Sequence, residues 1–265
     1  MKNPSLWTSL LLSCTSVAAL AGEPETVTDI PEESVNQSAW EFGFRPYVWM
    51  TGLNGTIGAN GVTSPVDIDF GDILGNLDMV WSSTLEANRG KWGVLLDFTY
   101  LKLSDNFLPT FGTSPPPIAP SGFEMEMFLL DLVGSYRISE WDSGALHLTG
   151  GVRWLSIENN INLATPAGPF GSAGAKDDWF DPHLGFRIHH DLSPCCYLRG
   201  FADVGGFGVG SDLTYQALAA FGYRATEHVA VELGYRYLSE DYDNSPNFSF
   251  DAEMHGPILG ISIVW

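Results

Sequence analysis

Gly256-Pro257-Ile258-Leu259-Gly260-Ile261-Ser262-Ile263-Val264-Trp265 ends the chain. Successive strand side chains point to opposite faces, so Leu259, Ile261, Ile263 and Trp265 share one face. Ile258, Gly260, Ser262 and Val264 share the other. A strand that carries its apolar face up to a terminal aromatic ring suits a wall whose outer solvent is lipid. In hydrocarbon every backbone polar group must be paired internally, which leaves the closed barrel as the spanning form of a sheet.

The same alternation recurs upstream. Across 179–189, Phe180, Pro182, Leu184, Phe186 and Ile188 oppose Asp181, His183, Gly185, Arg187 and His189. Across 213–224, Tyr215, Ala217, Ala219, Phe221 and Tyr223 oppose Thr214, Gln216, Ala220, Gly222 and Arg224. Across 229–237, alternate Val, Leu and Tyr residues oppose Ala230, Glu232, Gly234 and Arg236. Further strands are expected at 40–51, 79–88, 92–103, 123–137, 145–157, 197–206 and 251–265. Short links at 89–91, 138–143, 191–194 and 225–227 read as periplasmic turns. Longer stretches at 53–78, 104–122, 159–178 and 241–250, rich in Gly, Pro, Ser and Asn, read as outer loops. The link at 207–212 is short where a long one is due. The expected fold is all-β, a transmembrane antiparallel up-and-down barrel of about ten strands. It becomes eight if two weak strands fail. It becomes twelve if a hairpin over 54–70, turning at Asn60-Gly61, joins the wall.

Composition agrees. The 265 residues are 45% hydrophobic with 29 glycines, and no stretch after the leader approaches the ~18 apolar residues of a membrane helix. Residues 1–21, with an apolar run and Ala19-Leu20-Ala21, read as a secretory signal, 22–39 as a flexible acidic periplasmic lead-in, and 40–265 as the barrel. A lipid-attachment box at Cys14 is the minor alternative for the leader. The net charge of −20, with 12 Lys and Arg against 32 Asp and Glu, argues against nucleic-acid partners. Apart from Cys14, only the adjacent Cys195 and Cys196 occur, so no disulfide framework, metal site or cofactor is expected.

The alternation rule sends Arg45, Arg153, Arg187, Arg199, Arg224 and Arg236 inward with Glu86, Asp97, Asp131, Asp181, Asp203, Glu232 and His183. Isolated buried charges cost several kcal/mol, so these groups are expected to form one connected network. It can act as a plug that fills a narrow barrel, or as the filter of a narrow small-solute pore. Tyr47 and Trp49 are inward exceptions, read first as filling. Trp81, Trp92, Tyr100, Tyr136, Trp154, Phe186, Tyr223, Tyr235 and Trp265 are expected outside, as interfacial girdles. A hydrolase is the minor alternative: Asp67 and Asp69 facing Asp181 and His183 at the outer rim could activate water, with His183 as base. That logic is similar to that of the omptin barrel proteases, although the local sequences do not match theirs. His190 with Ser193, and His147 with Thr149, are weaker pairings without a partner motif.

The chain end resembles the C-terminal assembly signal of bacterial outer-membrane barrels, with Leu259, Ile261, Ile263 and Trp265 as its apolar positions. The stretches 45–58, 66–74 and 85–93, with Gly150-Gly151-Val152-Arg153, 181–187 and Gly222-Tyr223-Arg224, resemble a group of largely uncharacterised proteobacterial outer-membrane barrel proteins. This likeness spans essentially the whole barrel. It implies a Gram-negative outer-membrane location, contacts with outer-membrane lipids and the barrel-assembly machinery, and a monomer. Membrane domains of the OmpA-like class share the charged interior, but no peptidoglycan-binding domain follows here.

Overall fold

The computed structural model describes residues 39–68, 71, 77–106 and 117–265. The expected signal, nearly all of the lead-in, Cys14 and Asp69 lie outside the described residues. Ten antiparallel strands close a ring: β1 (Glu41–Trp49), β4 (Leu77–Arg89), β5 (Trp92–Asn106), β6 (Ala119–Trp141), β7 (Gly144–Thr165), β8 (Gly168–Ser193), β9 (Cys196–Gly206), β10 (Leu213–Arg224), β11 (Val229–Asn244) and β12 (Phe248–Val264). Each strand pairs with its sequence neighbour in the ring, and β12 returns to β1 through pairs such as Phe44 with Ile263. The remaining two strands, β2 (Gly52–Ala59) and β3 (Val62–Ile68), form a hairpin. Its turn is Asn60-Gly61, both at positive φ, as the tight hairpin turn demands. Because β12 is long, its lower half pairs with β1 and its upper half, Phe248 to His255, pairs with β2. The hairpin therefore joins the sheet as strands eleven and twelve without widening the ring.

Strand length sets the next level of structure. About 9–11 tilted residues cross a bilayer, yet β6, β7 and β8 run for 23, 22 and 26 residues. The excess rises beyond the end of the ring opposite Phe42 and Trp265, and there both faces of the wall change polarity. On β12, Leu259 and Ile261 are exposed while Gly260 and Ser262 turn inward. Higher on the same two faces, Asp251 and Glu253 are exposed while Phe250, Ala252 and Met254 are buried. Strand β6 does the same: Asp131 is buried below Leu129, Met127, Met125 and Phe123, and outside, exposed Leu132 gives way to exposed Glu124. Lipid selects apolar groups outside and tolerates polar groups inside; water selects the reverse. Where the two regimes meet, aromatic rings line the outer surface in register. Trp81 pairs with Tyr100 and Tyr100 with Phe128, and the Tyr100 and Phe128 rings lie 4.7 Å apart. A second girdle at the other end joins Trp92 with Tyr136 at 4.6 Å and Phe42 with Trp265 at 6.2 Å.

Two expectations are corrected here. Residues 159–178 and 241–250, read as outer loops, belong largely to β7, β8, β11 and β12. The interior is not polar throughout: its upper part is a packed apolar core joining the hairpin (Leu53, Ile57, Val66, Ile68) to the wall (Leu103, Met127, Ile157, Phe250). Trp49 is fully buried and Tyr47 nearly so, as fillers.

Candidate functional site

Beneath that core, five arginines and five carboxylates interlock in two tiers. In the lower tier Glu86 receives Arg45 at 2.5 Å and Arg187 at 2.6 Å. Glu232 receives Arg199 at 2.6 Å and the Tyr197 hydroxyl at 2.7 Å, and the Arg45 Nε lies 3.8 Å from it, so Arg45 links the two acids. Gly222 makes room for this: a Cβ there would fall 2.2 Å from the Tyr197 ring. In the upper tier Arg153, wholly buried, donates to Asp203 at 2.7 Å, Asp131 at 3.2 Å and Thr214 at 3.0 Å. The other oxygen of Asp131 meets His183 Nε2 at 2.8 Å. Arg236 donates to Asp97 at 3.1 Å, to Gln216 and to the Tyr47 hydroxyl, and its guanidinium lies 4.7 Å from the Trp49 ring centroid. Gln216 Nε2 reaches Asp203 at 3.4 Å, joining the two halves of the tier. A connected network of this kind fixes strand register, since a slip of one residue would send every charge into lipid.

Two of the expected members sit elsewhere. Arg224 pairs with Asp191 at 2.5 Å near the lower rim, over the Tyr197 ring. Asp181 makes no arginine pair among the described residues; it accepts from Ser211 N at 2.7 Å and from Trp179 Nε1 at 3.0 Å. The same indole N–H lies 2.9 Å from Glu240 Oε1. Glu240 was not anticipated because β11 was expected to end at 237, although it continues the inward parity of Glu232 and Arg236. Tyr47, Tyr197 and Gln216 were missed as network partners since nothing local marks a buried hydroxyl or amide as paired.

Glu240 stands above the upper girdle, outside the lipid belt. Burial pushes its carboxyl well above the usual glutamate range, and hydrogen bonding to Asp181 adds to this against the opposing charge of Arg153. A raised folded-state value means the folded protein holds more protons, so this contribution is complete below the ordinary value of 4.5 and is lost as pH rises above it. The urea midpoint of the strand extension is thus expected to fall as pH rises above the ordinary glutamate value of 4.5. In Glu240→Gln that slope flattens; an unchanged slope would mean that Glu240 does not carry it.

Among the described residues, the hydrolase expectation finds no assembled site. Asp67 is exposed and bonded to Asn54 at 2.9 Å, whereas His183 is 3% exposed and faces Asp131. His190 meets Trp141 and Ser143, while Ser193 meets the Cys195 thiol, so those two do not pair either. Cys195 and Cys196 are free thiols at the β8–β9 turn.

No family model matches the chain, and no curated protein is similar to it in sequence. Among solved structures, the outer membrane protease OmpT from Escherichia coli is 10% identical with a TM-score of 0.56, over 85% of this chain and 97% of that one. A major outer membrane protein from Thermus thermophilus is 13% identical with a TM-score of 0.42, over 86% and 100%. The attachment invasion locus protein Ail of Yersinia pestis is 10% identical with a TM-score of 0.32, over 86% and 99%. At such identities the likeness to OmpT speaks for the fold alone: an outer-membrane-type β-barrel.

Proposed function

We propose that this chain is an integral outer-membrane barrel with a plugged interior, and that its role is structural or interaction-related, exercised through the strand extension above the lipid belt. The observation that carries this reading is the pair of barriers in series along the barrel axis. The two ion-paired tiers cross the lumen, and the apolar core from Trp49 to Phe250 fills it above them. An ion following the axis would have to break buried pairs and then enter a dry core, each step costing several kcal/mol. The narrow small-solute pore is the weaker reading for that reason.

Outer-membrane lipids are the partners of the belt. The apolar face of Leu259, Ile261, Ile263 and Trp265 is the segment offered to the assembly machinery. Closure of β12 on β1 pairs the two ends of the ring, which supports a monomer. The extension offers partners an acidic surface: Glu124, Glu158, Asp178, Asp241, Asp251 and Glu253 are exposed, against Lys102 and Lys176.

Planar-bilayer recording tests this on refolded protein whose gel mobility shifts on heating. A silent membrane is expected. Steady discrete current steps from heat-modifiable protein would overturn the plug and make the tiers a filter.

A further inference from the structure

Below the lower tier the interior widens into a vestibule of about 560 Å³, at the end of the ring where β1 begins and β12 stops. Its lining runs against the character of the chain. Overall, acidic residues outnumber basic ones 32 to 12. Here Arg45, Lys91, Arg137, Arg187 and Arg224 converge, opposed within the lining by Glu41 and Glu86, and histidines are interleaved among them.

Pairing narrows this excess without cancelling it: Arg224 is held by Asp191 at 2.5 Å, and Arg137 lies 3.1 Å from the exposed Glu140. The guanidinium groups of Arg45, Arg187 and Arg199 share the two carboxylates of Glu86 and Glu232, which leaves one positive charge over. Lys91 makes no ion pair among the described residues. The low-dielectric wall around such a cavity concentrates its potential rather than letting water dissipate it. The volume lies within the range of small-molecule pockets, about 300–1,000 Å³. Arg45, Glu86 and Arg187 of the lower tier lie across its inner end, which on the plugged reading proposed above makes it a blind pocket.

We propose that this vestibule binds a phosphate-bearing solute entering from the end of the barrel that holds Phe42 and Trp265. Guanidinium groups present planar, forked donors that suit phosphate oxygens, and four of the five cations here are arginines. The ring wall separates the cavity from lipid, which makes the ligand a soluble anion rather than a headgroup of the surrounding membrane.

Calorimetric titration of the full chain, refolded in zwitterionic detergent, with inorganic pyrophosphate tests the proposal. Saturable binding at one site is expected, and it should weaken as salt is raised from about 50 to about 300 mM. The double variant Lys91→Gln/Arg137→Gln should bind roughly tenfold more weakly. The control Lys102→Gln/Lys176→Gln removes the same charge from the opposite end and should bind as the parent does. Heat-shifted gel mobility verifies that both variants fold. Absence of saturable binding, or equal losses in the two variants, would overturn the site, the second by showing that only net charge matters.

Discussion

Arg153→Ala is expected to cost about 3–5 kcal/mol in unfolding free energy, the scale for stripping one partner from a buried charge group. Arg153 is wholly buried and is held by Asp131 and Asp203, each of which is almost inaccessible. Truncation leaves both carboxylates in a cavity with His183 and Gln216 as their remaining side-chain partners. The effect should appear as a lower urea midpoint for the heat-modifiable form in detergent or vesicles. Neutralising the acids together with the arginine, in Arg153→Met/Asp131→Asn/Asp203→Asn, should recover most of the loss, because no charge is then stranded. A cost for Arg153→Ala below about 1 kcal/mol, the range of exposed pairs, would show that water reaches the tier. In that case the plug reading fails and the pore reading gains.

The membrane-embedded half of this molecule was legible in the sequence because lipid enforces a strict code. β10 was bounded to the residue, Leu213–Arg224, and its inward and outward sets alternate along its whole length. The inward parity of Arg45, Glu86, Asp131, Arg153, Arg199, Glu232 and Arg236 followed from the same rule. What the rule could not supply is which acid meets which base, since partners such as Arg187 and Glu86 lie 101 residues apart and meet across the lumen. Above the belt the code reverses, and the signal weakened. The first part of β8, Gly168 to Asp178, opens on Gly-Pro-Phe and continues in glycine, alanine, serine and charges, which looks like a loop. It is held as a strand by pairing with β7, with one register shift between Leu163 and Ala164, and by the Asn60 amide, which donates to the Gly174 carbonyl at 2.6 Å. Phe248, Phe250 and Met254 carried the inverted pattern openly, but a reader expecting lipid outside assigns them to a loop and a strand end.

That inversion makes the extension a small water-soluble fold set upon a membrane ring, and Trp179→Ala is expected to separate the two. Trp179 is 4% exposed, stacks on Tyr242 with ring centroids 3.9 Å apart and 3° between planes, and touches Phe248 at 6.0 Å. Its N–H serves both Asp181 and Glu240. Replacing a buried tryptophan by alanine costs about 3–5 kcal/mol, part from lost burial and part from the cavity left behind. The loss should fall on the extension: chymotrypsin should cut within β7, β8 and β12 above the girdle, while the heat-shifted gel mobility of the ring persists. Trp179→Phe keeps the stack on Tyr242 but removes the donor, and its cost should be smaller, about 1–3 kcal/mol for two buried carboxyls deprived of one shared N–H. If Trp179→Ala instead abolished the heat shift at the same urea concentration at which it exposed the extension, ring and extension would be one cooperative unit. The core above the belt would then be part of what holds the ring together in lipid.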